Sequence, residues 1–196
     1  MGGVLIDIDF EYAFRSWVKY SDLTIGEIRQ RFSMDDAYKK HEKGELDADQ
    51  YFSYLRELLQ MKACNEDIAH GWNSIFLGEI KNIVDYVYLA KKHLPCYAFT
   101  NSNPTHQAKW GNDFPNVVNA FDHIFVSSDL GLRKPEPAAF LAISKAIGVK
   151  LEAMLFFDDT EENIVAAQAM GMQTVFVSDP SDTKQALISR GLHPGD

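Results

Sequence analysis

Four apolar residues, Met154, Leu155, Phe156 and Phe157, run directly into Asp158 and Asp159, and a helical pattern of Ile164, Ala167 and Met170 begins just beyond them. The apolar run is too short for a helix and suits a strand buried on both faces. A buried strand that turns at once into a helix belongs to an open parallel α/β sheet, where ligands bind at the carboxyl ends of the strands. The two aspartates are therefore expected to project into that crevice. Adjacent acids at one strand tip repel, and a divalent cation with oxygen ligands, magnesium, relieves the repulsion best. The competing reading makes one of them only a cap of the following helix.

The remainder of the chain alternates in the same way from residue 94 onward. Cys96-Tyr97-Ala98-Phe99 reads as a strand ending in Thr100 and Asn101, and His123-Ile124-Phe125-Val126 as another ending in Ser127-Ser128-Asp129. Gly131 to Pro137 is a loop by its glycine and prolines; Ala138 to Ile147 is a helix closed by Gly148; Thr174 to Val177 is a last strand. Repeated strand, loop and helix units predict a Rossmann-like, doubly wound parallel sheet. Upstream the pattern is different. Val4-Leu5-Ile6 is a short strand ending in Asp7-Ile8-Asp9, and from Glu11 to about Lys81 apolar residues recur only at helical spacing. Ser33 and Asp47 are the expected caps in this stretch, and Phe76 is read with the helix that follows.

Composition narrows the partners. A formal charge of -9 argues against a nucleic-acid backbone or an anionic membrane. No apolar run approaches the length of a membrane span and the amino terminus lacks a secretory pattern, so a cytoplasmic protein is expected. Cys64 and Cys96 fit no metal-ligand spacing and are expected to be reduced, buried thiols. Trp17, Trp72, His41 and His70 could reach a ligand, but aromatic residues at helical spacing are more often core.

Several strand ends carry groups suited to a phosphoryl group: the Thr100 hydroxyl, the Asn101 amide, the Lys134 ammonium and the Asp158–Asp159 pair. Phe99-Thr100-Asn101-Ser102-Asn103, Gly131-Leu132-Arg133-Lys134-Pro135-Glu136 and Phe156-Phe157-Asp158-Asp159, in this order, resemble the haloacid dehalogenase superfamily in its phosphatase branch. Gly2 to Phe10 and His70-Gly71-Trp72-Asn73 extend the resemblance over nearly the whole chain, toward bacterial enzymes acting on α-D-glucose 1-phosphate. The resemblance implies a core of residues 1–11 and 81–196 with a helical cap inserted at 12–80. It also implies a small phosphorylated metabolite as partner, hydrolysed with Mg2+ through an aspartyl phosphate, and a monomer is the default expectation. Thr100 and Asn101 would bind the transferring phosphate, and Lys134 would neutralise it and hold the nucleophile. Asp159 would bind the metal directly, with Asp158 direct or through water. Because Lys134 lies in a proline-flanked loop, it is expected to be dispensable for folding.

One departure from the family stands out. In relatives the nucleophilic aspartate comes two residues before the glycine that occupies Gly2, which on this alignment falls one residue before Met1. The expectation is that the sequence begins late, with most of the first central strand missing too. Asp7-Ile8-Asp9 imitates the nucleophile motif, yet Phe10, Glu11 and Tyr12 follow where small or β-branched residues are wanted. Gly2 also stands where many phosphatases carry a second, acid/base aspartate. Three alternatives remain: a 2-haloacid dehalogenase, which shares the fold but needs no metal; a receiver domain, which lacks a helical insert; and a non-enzymatic descendant that binds a phosphorylated ligand.

Overall fold

The computed structural model describes residues 1–192. The last four residues, assigned to the core from the sequence, lie outside the described residues. Helices α1 (Glu11–Trp17), α2 (Ile25–Arg31), α3 (Asp36–Glu42), α4 (Ala48–Leu58) and α5 (Asn65–Asn73) form one helical unit. Its starts are written in the sequence. Thr24 and Glu27 form a reciprocal capping box at α2, and Asp47 with Gln50 forms another at α4. The cap of α3 is Asp35, which accepts from the Tyr38 N–H, rather than Ser33: its carboxylate reaches the third amide of the helix from the position just before it. Inside, Trp17 and Trp72 are fully buried and stack with centroids 5.9 Å apart. Burial on this scale gives the unit its own hydrophobic core.

Two strands, β1 (Ile6–Ile8) and β2 (Phe76–Glu79), enter and leave this unit as an antiparallel ribbon, with Ile6 opposite Glu79 and Asp7 opposite Gly78. The sequence missed β2, because a two-stranded ribbon is held by its partner's backbone and needs no alternating apolar face. The first strand also starts later than expected. Val4 and Leu5 are buried in a tight turn, where the Leu5 and Ile6 N–H groups both point at the Met1 carbonyl at 2.8 and 3.1 Å.

The second half is α/β, as expected: α6 (Lys81–Lys91), β3 (Tyr97–Thr100), α7 (Pro104–Asp113), α8 (Pro115–Asn119), β4 (His123–Val126), α9 (Ser127–Leu130), α10 (Pro137–Ile147), β5 (Leu155–Asp158), α11 (Glu161–Ala169), β6 (Gln173–Phe176) and α12 (Pro180–Ile188). β3 pairs in parallel with β4, and β5 in parallel with β6. The parallel sheet is not continuous, however. Among the described residues β3 and β5 share no ladder, and an apolar cavity of about 400 Å3 lies between them. Neither cysteine is buried: Cys64 is exposed at the start of α5 and Cys96 is half-buried just before β3, both as free thiols.

The two halves meet where α3 abuts α9. Gly44 has φ +70°, and a Cβ there would lie 2.7 Å from the Ser128 carbonyl oxygen. Both the backbone conformation and the close approach require glycine. Gly44→Ala is expected to lower stability by about 2–3 kcal/mol, read from urea denaturation; an unchanged midpoint would mean that the junction gives way at no cost.

Candidate active site

Lys134 is the centre of the site. Only 5% exposed, it spans the carboxyl ends of β3 and β5: its Nζ donates to the Phe99 carbonyl at 2.8 Å and to Asp158 Oδ2 at 2.7 Å. The rings of Phe99 and Phe156 flank the ammonium at 5.2 and 5.5 Å. Its expected dispensability for folding is therefore corrected: the loop turns Lys134 inward, and removing it would leave a buried carboxylate without its cation.

Asn101 fixes this lysine through the backbone. Its Oδ1 accepts from the Lys134 N–H and its Nδ2 donates to the Lys134 carbonyl, both at 2.9 Å. With both ends of the amide engaged, Asn101 positions Lys134. Thr100 is buried beside it, and its hydroxyl makes only a long 3.5 Å contact to the Asn101 carbonyl. That donor is free for an incoming oxygen.

The two acids have different surroundings. Asp158 is 3% exposed and saturated: Lys134 holds Oδ2, while Oδ1 accepts from the Thr160 N–H at 2.9 Å and from Asn163 Nδ2 at 2.8 Å. Burial alone would raise this carboxyl, but the Lys134 charge and hydrogen bond, with Asn163, hold it below its ordinary value. Asp159 is exposed, with its carboxylate laid over the backbone at Gly3, where a Cβ would fall 2.0 Å from Oδ2. Partial desolvation and then the charge of Asp158 push its pKa up. The backbone nitrogen of Met1 lies in the same cluster, near Lys134, Asp158 and Asp159. Asp7 and Asp9 do not join it. Asp7 sits in the β1–β2 ribbon, and Asp9 Oδ1 accepts from the Glu11 N–H at 2.8 Å at the start of α1.

A family model described as haloacid dehalogenase-like hydrolase matches residues 3–171. The chain belongs to this family. It is 24% identical over 191 residues to D-ribitol-5-phosphate phosphatase of Bacteroides thetaiotaomicron, across 95% of this chain and 93% of that protein. A HAD-family enzyme from the same organism, solved in complex with magnesium and inorganic phosphate, superposes with a TM-score of 0.77 at 28% identity over 90% of each chain. L-2-haloacid dehalogenase of Xanthobacter autotrophicus shares the fold at a TM-score of 0.66, with 16% identity over 98% of this chain and 82% of that one.

For a haloacid dehalogenase-like hydrolase, the donor set suits magnesium. Among the described residues no group of three or more histidine, cysteine or acidic side chains converges, but this ion keeps several waters and needs only one or two carboxylates. Asp159, an exposed carboxylate whose pKa is raised by partial burial and then by the charge of Asp158, is the group that could supply one. Asp159→Asn is expected to weaken Mg2+ binding about tenfold or more in isothermal titration; equal affinity would remove the assignment. Since a proton and a cation compete for this oxygen, affinity should fall with decreasing pH from above the ordinary carboxylate range.

Three contributors went unassigned in the sequence. Asn163, five residues after Asp158 on the first turn of α11, could have been found from its spacing. Ser127 could not: its buried Oγ accepts from the Ser102 N–H at 2.9 Å and reaches the Glu42 carbonyl at 2.6 Å, contacts distant in sequence. Nor could the pairing of Arg133 with Glu42, in which Nε and a terminal nitrogen both lie 2.9 Å from Oε2. This ion pair links the helical unit to the loop that carries Lys134. Trp17, Trp72 and His41 are buried core, and His70 is exposed.

Proposed function

We propose that the chain carries the site of a magnesium-dependent phosphatase for small phosphate monoesters, sugar phosphates such as glucose 1-phosphate among them. The observation that carries the reading is the Lys134 ammonium held between the β3 and β5 ends, beside an unengaged Thr100 hydroxyl and a free carboxylate at Asp159. This is a charge and donor arrangement for the oxygens of a phosphoryl group, where positioning and electrostatics supply most of the catalysis. Thr100 would donate to one phosphate oxygen, Lys134 would neutralise another, and Asn101 would keep Lys134 in place. Asp159 would hold Mg2+, with Asp158 reaching it through water because both its oxygens are engaged. The bound metal would supply a positive charge against the phosphate oxygens.

In such a reaction a carboxylate oxygen attacks phosphorus, the bond to the leaving oxygen breaks, and the alcohol takes a proton from solvent. Water then cleaves the acyl phosphate and regenerates the carboxylate. Asp158, the carboxylate bonded to Lys134, has both oxygens engaged and does not supply that nucleophile. Residues 12–80 act as the cap over this site. A second reading, a phosphate-binding protein without turnover, is favoured by one observation: among the described residues the only carboxylate bonded to the Lys134 ammonium is Asp158, and it is saturated.

Binding tests the shared part of both readings. Orthovanadate should bind in the presence of Mg2+, and Thr100→Val should weaken it about tenfold at unchanged melting temperature. Absence of any vanadate or phosphate binding, or metal-independent halide release from 2-chloropropionate, would overturn the proposal.

A further inference from the structure

Arg133 and Lys134 are consecutive cations, and each is paired with a buried carboxylate from a different part of the chain. Lys134 reaches Asp158 at the end of β5. Arg133 reaches Glu42 on α3 of the helical unit, which is only 5% exposed, with two nitrogens at 2.9 Å from one oxygen. Glu42 is itself tied to the α/β half through its backbone: its carbonyl accepts from Ser127 Oγ at 2.6 Å, and that oxygen accepts from the Ser102 N–H just beyond β3 at 2.9 Å. The residues that follow touch the same half twice more, Lys43 through an ion pair to Glu136 at 3.4 Å and Gly44 through its close approach to the Ser128 carbonyl. The end of α3 thus grips the loop that carries Lys134, while Asn101 grips Lys134 itself through its N–H and carbonyl.

We infer that Glu42 is a positioning residue for the phosphate site: through Arg133 it fixes the main chain that presents the Lys134 ammonium, and so couples the helical unit to anion affinity. A lysine ammonium sits on a flexible four-carbon stem, so its place depends on where its backbone is held. Both bonds from Asn101 come from one side-chain amide, which leaves the loop able to pivot about it; the Arg133–Glu42 pair is a second point of attachment, one residue earlier. Stability alone does not account for the pair. Two desolvated charges gain little over an apolar contact of the same volume, and burial pushes the Glu42 carboxyl above its ordinary value despite the Arg133 charge. A guanidinium engaged through two nitrogens does have a fixed direction, which a flexible ammonium lacks. The inference rests on the phosphatase reading for what Lys134 does, and on geometry alone for how it is held.

Two variants test it, Glu42→Gln and Arg133→Lys, the second keeping the charge but unable to set two nitrogens on one oxygen; should Glu42→Gln fail to fold, Arg133→Lys carries the test. The first readout needs no ligand. Hydrogen exchange at the Lys134 N–H, which is bonded to Asn101, should quicken about tenfold or more in each variant, while the Val177 N–H, bonded to the Asp158 carbonyl, keeps the parent rate. The second readout is orthovanadate in the presence of Mg2+, whose Kd should rise about tenfold with Mg2+ affinity unchanged. Because both substitutions cut one link, the double variant should bind vanadate no more weakly than the weaker single variant. Lys43→Met, which removes only the more exposed pair to Glu136, should leave both readouts at the parent value. A Lys134 exchange rate that does not change, or that rises only in step with Val177 as the melting temperature falls, would overturn the inference and leave the pair a purely structural one. If the parent binds no vanadate, the phosphatase reading fails, and the exchange rates still decide whether Glu42 positions Lys134.

Discussion

Lys134→Met will lower the stability of the folded chain by about 3–5 kcal/mol, a shift of roughly 6–20 °C in melting temperature. The cause is Asp158: only 3% exposed, it would lose the ammonium 2.7 Å away and keep a charge that neighbouring donors only partly satisfy. A double variant, Lys134→Met with Asp158→Asn, should recover a large part of the loss, because no uncompensated charge remains. The pH dependence gives an independent check. In the parent, the depressed Asp158 pKa contributes stability that is present above the ordinary carboxylate value and lost as pH falls through the folded value. In the single variant the carboxyl favours its proton, so the gap between the two chains should narrow from pH 7 toward pH 4. Urea melts across that range measure it. A gap that stays constant would show that the ion pair does not carry the lysine's contribution.

The second large effect concerns turnover. The 196-residue chain is expected to hydrolyse small sugar phosphates negligibly, and the same chain preceded by Phe-Asp at Met1 to hydrolyse them on the order of a thousandfold faster, with Mg2+ required. Thr100, Lys134 and a metal at Asp159 can position a phosphate, but a covalent intermediate needs a carboxylate that is neither saturated nor bound to metal. Asp158 fails the first condition and Asp159, in its proposed role as metal ligand, the second, while Asp7 lies in the β1–β2 ribbon. Release of inorganic phosphate from glucose 1-phosphate and related esters by both chains decides it. Comparable turnover by the shorter chain, abolished by Asp7→Asn, would make Asp7 the nucleophile. An extension ending in Phe-Asn separates catalysis from packing, since it should bind Mg2+ and phosphate without turnover.

What the sequence disclosed follows from the range of the forces involved. Local signals were legible: the apolar run into Asp158, the Asp47 cap, the left-handed glycine at Gly148, and the alternation that placed β3 to β6 within one residue of their observed bounds. The order Thr100, Lys134, Asp158 carried the family because each residue ends a separate strand or begins a loop. Burial of Lys134 was not legible, since a loop lysine beside prolines has the same local pattern whether it faces water or a carboxylate 24 positions away. The β1–β2 ribbon and the Glu42–Arg133 pair were hidden for the same reason: their partners are far apart in the chain, and no periodicity marks them.

That ribbon bears on how the chain assembles. Pairing Ile8 with Phe76 closes a loop of roughly seventy residues, at an entropic cost of about 4 kcal/mol for a flexible chain. The helices between them are contiguous in sequence and have a core of their own, so they can form early from local contacts and bring the two ends together before the ribbon zips. The order of folding would then be inside out: the inserted segment first, the interrupted α/β half only after its first residues have been returned to it. Substitutions in the Trp17–Trp72 core should accordingly slow the folding of the whole chain, whereas substitutions in β6 should chiefly speed its unfolding.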